Sequence, residues 1–590
     1  MPEARQPRLS PSQQRLWFHQ QLAPESNQYN VFRGYELRGP LDAAALGRAL
    51  GALADRHVAL RMRFPAEAGS PRVAVTPVPC LVDLPRAGLA PDGWEAEASA
   101  FARRWSSRPF DLGREEPMRA HLLGVASDLH VLLLCVHHIV IDGWSVPILD
   151  EELGRLYAAE AGGEPAGLPP LRADYLDYAD WQRKRAGSPA AERVLGYWRE
   201  RLAGVPELVT LPADRTRPRL QGTGGGQIAT AMPKDVADLL ASFAAGRRLT
   251  PYTVAYAAFA VLLGRYARAD DLVLGVVVAG RSRPEFARTV GFFVGTLPVR
   301  MDLSGDPGFR TVLARAREAL FDAYDNDLLP LDVLVDRLEP RRDPSYAPLV
   351  QVIFQMLVLP QAGEARWGEV RARVWGEELT APATRFDLEV HLLDRAGGEL
   401  SVEACFNADL FDEETVARLI DDYFRLLRAL CENPDQPISR TCAAIGGGEA
   451  EVAVSIRDTH GVPLPLGVPG EAWLAGNRTG LLARIRADGT VEFLGGVGEE
   501  LVVRGLRVPA RLIEEALLAD RSIAAAEVTA GDGGGLAARL RAVPGLPRPA
   551  AGELRARLRR RLPGFLVPGS FTWEGEPDAP VVFFVPGEPS

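Results

Sequence analysis

Hydrophobic and polar residues along the 590-residue chain fall into two alternating rhythms, one of helical period and one almost continuously apolar. LDAAALGRALGALADRH (41–57) spaces its apolar residues helically behind Asp42, which predicts an amphipathic helix capped by that aspartate. LHVLLLCVHH (129–138) shows no polar alternation, as expected of a strand buried on both faces. DLVLGVVVAG (271–280) and LVQVIFQMLV (349–358) read the same way. DPGFRTVLARAREALFDAY (306–324) predicts a helix with Asp306 as N-cap and Pro307 at its first position. DEETVARLIDDYFRLLRAL (412–430) predicts another, capped by Asp412, with Val416, Leu419, Ile420, Tyr423, Leu427 and Leu430 on one face. The interleaving implies an α/β fold in two lobes of similar size, residues 1–185 and 186–440. The polar, proline-bearing LPADRTRPRLQGTGGG (211–226) is expected to be an exposed, mobile connection. After about 440 the texture changes to short strands and Gly- and Pro-rich turns, a smaller α+β region over 441–590. Within it, ELRARLRRRL (553–562) sets Leu554, Leu558 and Leu562 on one helical face among arginines, which reads as a solvated helix surface.

Composition narrows the class. The length implies about three or four units of ~150 residues, and 47% hydrophobic with 24% charged residues is the balance of a globular protein. A net charge of −10, with no acidic tail, argues against nucleic acid as the main partner. MPEARQPRLSPSQQRLW lacks the basic-then-apolar order of a signal peptide, and no apolar run approaches the ~20 residues that cross a bilayer, so no membrane partner is expected. Cys80, Cys135, Cys405, Cys431 and Cys442 are scattered and without CxxC spacing, as reduced structural thiols of a cytoplasmic protein would be. A monomer is the default expectation.

The chemistry concentrates in VLLLCVHHIVIDGWS (131–145), where a buried strand ends in His137 and His138, followed by Asp142 and Gly143. Three readings are open. The pair is structural, one histidine buried and one exposed; or His138 and Asp142 ligate a metal; or an imidazole works as an acid–base group in acyl transfer. The metal reading lacks a partner cluster, because His19, His57, His121, His130, His391 and His460 are dispersed singly. The acyl-transfer reading suits an imidazole titrating near neutrality, able to take a proton from an attacking amine or hydroxyl. Asp142 then folds back within the next turn, Gly143 allows close backbone approach, and a buried carboxylate there demands a cation.

VHHIVIDGWS resembles the active-site motif of nonribosomal peptide synthetase condensation domains, members of the chloramphenicol acetyltransferase-like superfamily. The likeness continues in order through LSPSQQRLWF (9–18), RHVALRMRF (56–64), YLDYADWQ (175–182), VGFFVGTLPVR (290–300), DNDLLPLDVLV (325–335) and RRDPSYAPLVQVIFQ (341–355). It implies two acetyltransferase-like lobes in a V-shaped pseudo-dimer with a tunnel between them. Donor and acceptor carrier proteins dock at its two ends and deliver thioesters on phosphopantetheine arms, so no bound cofactor of its own is implied. By the same resemblance His138 is the catalytic base or positioner and His137 an adjunct for orientation or packing. Asp142 becomes a structural carboxylate held by Arg281 across the lobe interface, with Arg56 and Arg61 as further support. Gly143 is implied to line the tunnel, and Trp144, Ser145 and Gly295 are candidates for its lining. The family usually has Asn where Gly295 stands and His-Gln-Asp where Asp325, Asn326 and Asp327 stand, departures that bear on substrate rather than reaction.

The tail resembles pieces of an adenylation domain: GVPLPLGVPGEAWLAG (461–476), NRTGLLARIRADGTVEFLGG (477–496), LVVRGLRVPARLIEEAL (501–517) and LPGFLVPGSF (562–571). Leu481 stands where the family's ribose-binding aspartate belongs, Gly498 at the hinge aspartate, and EGEPDAPVVFFVPGEPS lacks the terminal lysine. The sequence has no Gly/Ser/Thr/Lys-rich phosphate loop, so this part is expected not to adenylate. No carrier-protein sequence surrounds a modifiable serine, so acyl groups are expected from other polypeptides. The leading expectation is therefore a condensation enzyme forming an amide between carrier-bound substrates. An ester-forming or free-amine acyltransferase of the same fold stands beside it. From a different class comes a non-catalytic platform that recruits carriers or tailoring enzymes.

Overall fold

Two six-stranded sheets organise the first three quarters of the chain. In this computed structural model the described residues run from 7 to 574, apart from 68, 78–85, 91, 223, 339, 341–342, 360–362, 377–383, 396–398, 446–453, 475–476, 487–488, 497–499, 504–505, 532–534 and 560–566. The first sheet runs Ala365–Trp367, Val370–Trp375, Asn30–Arg38, Leu129–His137, Met118–Ala126, Arg86–Gly88. Its central strand Leu129–His137 explains its own lack of alternation. Leu132, Leu134 and Val136 enter one core with helices Ala43–Arg56 and Ser145–Gly162, while Leu129, Val131 and Leu133 enter another under helix Trp94–Ser106. A strand covered on both faces has no solvent side to mark. Asp42 caps Ala43–Arg56 as its spacing predicts, accepting from the amides of Ala44 (2.8 Å) and Ala45 (3.1 Å).

The second sheet runs Gly295–Asp302, Asp271–Val278, Val352–Leu359, Leu388–Arg395, Glu399–Asn407, Gly225–Ala231. Helix Pro251–Ala267 is buried almost all round against it, and Phe259, Phe354 and Tyr423 pack ring on ring in the centre. The predicted amphipathic face of Glu413–Glu432 is buried at Val416, Leu419, Ile420, Tyr423, Leu427 and Leu430.

Four local expectations need correction. Helix Phe309–Asp325 takes Gly308, not Asp306, as N-cap, because the Asp306 carboxylate instead accepts from the Ser439 amide (2.9 Å) and hydroxyl (2.6 Å). Asp412 occupies its N-cap position without a capping bond, its carboxylate drawn to Arg215 (2.5 Å). The 211–226 connection is anchored, with Arg217 paired in two bonds to the buried Asp387 and Gln221 bonded to the Arg385 carbonyl (3.2 Å). Finally, strands Ala365–Trp367 and Val370–Trp375 come from the 186–440 stretch yet complete the first sheet, Gly34 to Arg38 pairing with Trp375 to Arg371. Close approach is needed here: a Cβ on Gly34 would lie 2.4 Å from the Trp375 carbonyl oxygen.

Beyond 445 the chain makes two unlike pieces. A four-stranded sheet, Val454–Arg457, Gly470–Leu474, Asn477–Ile485 and Val491–Gly496, shares its core with the second lobe through Ile456, Leu464, Val468, Ala472, Ala483 and Ile485. Arg265 reaches from the lobe to Asp458 and to the carbonyls of Val462 (3.0 Å) and Pro463 (2.5 Å). The hairpin Glu500–Val503 and Leu506–Pro509, helices Ala510–Leu518 and Ala551–Leu558, and the sheet Ile523–Gly531, Gly535–Ala542, Ser570–Trp573 follow. That last part has its own core, from Ile513 and Leu517 to Leu554 and Leu558, and Leu562 and Gly498 lie outside the described residues. The core shared with the second lobe thus extends through Ile485, and the part after 500 has a core of its own. Truncation after Gly496 should leave the melting temperature of the two-lobe body nearly unchanged. Truncation after Ile445 should strip burial worth on the order of 5 kcal/mol and cause a large drop or insolubility. Equal melts for both truncations would refute the shared core.

Candidate active site

The strand that ends in the two histidines is held at its tip by backbone bonds on both sides. The His137 amide donates to the Pro117 carbonyl (2.8 Å) and the His138 amide to the Tyr29 carbonyl (2.7 Å). A tight turn, His138–Val140, then brings the Ile141 carbonyl back to His138 Nδ1 at 2.6 Å. A carbonyl only accepts, so Nδ1 carries the proton and Nε2 is left with its lone pair. Gln13 Nε2 donates to the Ile139 carbonyl (2.9 Å) and stiffens the turn, and Phe292 packs edge-on against the His138 ring at 5.0 Å. Burial, and next the charge of Arg385, push the His138 pKa down to about 4, against the opposing pull of the Ile141 bond and Asp142. The half-buried imidazole is thus a neutral base at physiological pH.

His137 faces the other way. It is buried, accepts from the Ile139 amide at Nδ1 (3.1 Å), meets Gln20 Oε1 at Nε2 (3.4 Å), and packs between Tyr29 and Phe110. Burial, then His138 and Arg119, push its pKa down to about 3. Both His137 nitrogens are engaged in these contacts, which is the geometry of a packing and orienting residue.

Asp142 is 1% exposed and its carboxylate accepts four hydrogen bonds. Oδ1 receives the Ser145 amide (2.7 Å), the Ser145 hydroxyl (2.7 Å) and Arg281 Nη2 (3.1 Å), while Oδ2 receives the Phe293 amide (3.0 Å). Arg281 is held in turn by the carbonyls of Phe286 (2.8 Å) and Thr289 (2.7 Å) and lies over the Phe293 ring. Ser145, expected in the tunnel lining, is instead fully buried, also accepting from Arg281 (2.7 Å) and the Gly291 amide (3.1 Å). Gly143 and Trp144 are exposed, and a Cβ on Gly143 would meet nothing within 4 Å, so open space lies at this turn. Gly295 lines a separate crevice with Tyr178, Trp181 and Asp327.

Arg56 and Arg61 part company. Arg56 pairs with the buried Glu152 (2.7 Å), which also accepts from His57 Nε2 (2.8 Å). His57 Nδ1 takes the Val290 amide (3.3 Å), so this second network reaches the same 286–293 segment. Burial raises the Glu152 pKa, but bonds from His57 and Arg56 outweigh it and hold the carboxyl below its usual range. Arg61 binds only its own neighbourhood, through the carbonyls of Ala54 (2.8 Å) and Thr76 (2.7 Å), and its support of the site is corrected to local capping. Glu152 was missing from the sequence reading, although a carboxylate on the same helical face as Leu149 and Leu153 was its signal. Among the described residues, no group of three or more His, Cys, Asp and Glu side chains is arranged to hold a metal, and no helix is long and apolar enough to cross a membrane.

The chain belongs to the condensation domain family, whose sequence signature matches residues 4–444. Its homologues are condensation domains of nonribosomal peptide synthetases, which catalyse amide-bond formation between carrier-protein-bound substrates. It is 37% identical over 434 residues to one polypeptide of the linear gramicidin synthase of Brevibacillus parabrevis, covering 73% of this chain and 6% of that polypeptide. It is 36% identical over 429 residues to the phosphinothricin tripeptide synthetase PhsC of Streptomyces viridochromogenes, covering 72% and 39%. The chain thus spans well under half the length of these curated relatives. Among solved structures, the X-domain in complex with OxyB from teicoplanin biosynthesis superposes with a TM-score of 0.67 at 28% identity, covering 74% of this chain and 96% of that one. A four-domain nonribosomal peptide synthetase bound to AMP and glycine superposes over 97% of this chain and 70% of its own, with a TM-score of 0.80 at 14% identity, a likeness of fold alone.

Asp142→Ala should cost about 3–5 kcal/mol in urea unfolding, by stranding Arg281 in a dry site; a cost below ~1 kcal/mol would refute the pairing. The depressed His137 pKa has a linked consequence. Between about 6.5 and 3 the unfolded chain binds more protons, so the contribution is fully present above pH ~6.5 and is lost as pH falls toward 3. His137→Gln should flatten that acid decline in unfolding free energy, and an identical slope would count against the buried neutral imidazole.

Proposed function

We propose that this chain transfers an acyl or peptidyl group from a donor carrier's thioester to the amine of an acceptor on a second carrier, forming an amide. The observation that carries the reading is His138, its Nδ1 proton committed to the Ile141 carbonyl and its Nε2 lone pair free beside the open turn at Gly143. The amine nitrogen attacks the thioester carbon. His138 Nε2 accepts a proton from that nitrogen as the C–N bond forms, then returns it to the leaving sulfur as C–S breaks. An α-amine has a pKa of ~8 and arrives partly deprotonated, so a base that stays neutral down to acid pH suffices. Asp142 and Arg281 hold the turn, and Gly143 with Trp144 leaves room for a pantetheine arm. The phosphopantetheine belongs to the carriers, and the chain is taken as a monomer in the cytoplasm.

The part after 445 is proposed to be an adenylation-like remnant without adenylating activity. Support comes from its quoted segments, from Leu481 in the RTGL stretch and from the fold likeness to a synthetase over nearly the whole chain. The X-domain likeness favours one alternative, a recruitment platform for a tailoring enzyme.

Purified protein, a donor carrier and an acceptor carrier loaded with simple aminoacyl groups decide between them. Intact-mass spectrometry should show a dipeptidyl acceptor with wild type and a loss of at least ~100-fold with His138→Ala. Wild-type levels of product from His138→Ala would overturn the assignment, and carrier binding without transfer would favour the platform.

A further inference from the structure

A serine and a glutamine three residues apart at a helix start can form a capping box, which asks of the glutamine only an oxygen. Helix Pro11–Leu22 starts this way, yet both capping residues, Ser10 and Gln13, are fully buried. Gln13 Oε1 accepts from the Ser10 amide (3.1 Å), and Ser10 Oγ accepts from the Gln13 amide (3.1 Å). The other end of the Gln13 carboxamide makes a bond that capping does not require: Nε2 donates to the Ile139 carbonyl (2.9 Å). A backbone amide only donates and a carbonyl only accepts, so these partners fix which end of the side chain is oxygen and which is nitrogen. A glutamate could close the box, but its second carboxylate oxygen would face the Ile139 oxygen.

The Ser10 hydroxyl continues this network inward. It lies 3.1 Å from the hydroxyl of Tyr175, which gives its one proton to the Phe292 carbonyl (2.7 Å). Ser10 must therefore donate to the tyrosine oxygen, and the donors point one way, from the Gln13 amide through Ser10 and Tyr175 to Phe292. Tyr175 is fully buried as well, so every link is made inside the protein. The two ends of the network meet one imidazole from different sides. Ile139 lies inside the turn that brings the Ile141 carbonyl to His138 Nδ1, and Phe292 packs edge-on against the ring at 5.0 Å. The helix start is itself anchored, because Arg183 Nε donates to the Leu9 carbonyl (2.5 Å) and Trp17 Nε1 to the Phe64 carbonyl (3.0 Å).

We propose that Gln13 is a positioning residue for His138, acting through the Ile139 carbonyl, with Ser10 and Tyr175 coupling it to Phe292. The inference rests on the acyl-transfer reading above. The Gln13 bond fixes the plane of the peptide between Ile139 and Val140, which lies between the imidazole and the Ile141 carbonyl that holds its Nδ1 proton. Without that bond the peptide is free to rotate, the Ile141 carbonyl leaves Nδ1, and the proton is no longer confined to that nitrogen. Nε2 then carries the proton in part of the molecules and cannot accept one from the attacking amine. The network adds no group to the chemistry; it sets the fraction of molecules in which His138 is ready for it.

The test compares wild type, Gln13→Met and Tyr175→Phe in the two-carrier assay, at a temperature where melts show all three folded. Methionine keeps the length of glutamine and removes both of its side-chain bonds. Gln13→Met should lower kcat by about 10–100-fold with KM little changed. Tyr175→Phe, which loses one hydroxyl and keeps the ring, should lower it by less, and the double variant should lose less than the product of the two. Multiplying losses would overturn the coupling through Ser10. A second readout needs no turnover: nitrogen NMR of histidine-labelled protein near neutral pH, with the His138 signals assigned by their loss in His138→Ala. Wild type should show a protonated Nδ1 and a bare Nε2, and Gln13→Met the averaged shifts of a tautomer mixture. Unchanged His138 shifts in Gln13→Met overturn the proposal even with a fall in kcat, since that combination marks a residue needed for folding alone. An unchanged kcat, or a KM effect with kcat preserved, overturns it too. Where Gln13→Met is too unstable to assay, Gln13→Asn, one methylene too short to reach both partners, carries the same two readouts. If wild type shows the fixed tautomer and Gln13→Met loses it, yet neither transfers an acyl group, the condensation reading falls and the positioning of His138 by Gln13 stands.

Discussion

A carboxylate taken out of water must be surrounded by donors, and the way Asp142 meets that demand shapes everything around His138. Its two oxygens face different parts of the chain: Oδ1 the turn leading into helix Ser145–Gly162, Oδ2 the backbone at Phe293. Arg281 completes the shell and is itself wrapped by the 286–289 carbonyls. The segment between Arg281 and Phe293 therefore cannot relax without stranding a charge. That segment carries Phe292, whose ring sets the face of the His138 imidazole. Tyr175 adds a third hold, its hydroxyl donating to the Phe292 carbonyl (2.7 Å). Buried ion pairs of this kind gain little stability over an apolar replacement. Their contribution here is positional, fixing one lobe's loop on the other lobe's strand.

Glu152 repeats the device two turns into the helix that follows Asp142. It receives His57 and Arg56, approaches Arg288 (3.6 Å), and His57 in turn holds the Val290 amide. Because His57 Nδ1 accepts that amide, its proton must lie on Nε2, toward Glu152. Two carboxylates, Asp142 in the turn before the helix and Glu152 within it, thus hold the segment at Arg288, Val290 and Phe293. Sub-ångström placement of catalytic groups needs such over-determined support, since an imidazole on a loosely held turn loses its alignment with the reacting atoms.

How much of this was legible in the sequence depends on range. His138 and Asp142 stand close together on a strand end and its following turn, so local pattern sufficed to propose them, and Arg281 followed from the family resemblance. The tautomer of His138 was not legible, because it depends on a carbonyl, Ile141, that any residue at that position supplies. Ser145 misled for the opposite reason: a polar residue after an exposed Trp144 suggests solvent, yet its hydroxyl turns inward to the carboxylate. Asp306 failed as a cap because Ser439, far along the chain, offered two donors. The crossing of 365–375 into the first sheet had no local signal either, since strand pairing over hundreds of residues is fixed by the finished cores and not by spacing.

The tail extends the same physics beyond the site. On the proposed reading, the segment that once helped to handle ATP has lost that chemistry, yet its strands still complete a hydrophobic core. Ile456, Val468 and Ala472 are almost wholly buried among residues of the second lobe, and Arg265 is bound to the Val462 carbonyl beyond it. Once apolar surface of one unit has become the lining of another, removing it costs folding free energy whatever its former function. Among the described residues, the three-stranded unit after residue 500 gathers its buried apolar side chains in a separate core. The first piece is therefore held in place by the core it completes, while the second rests on its own core.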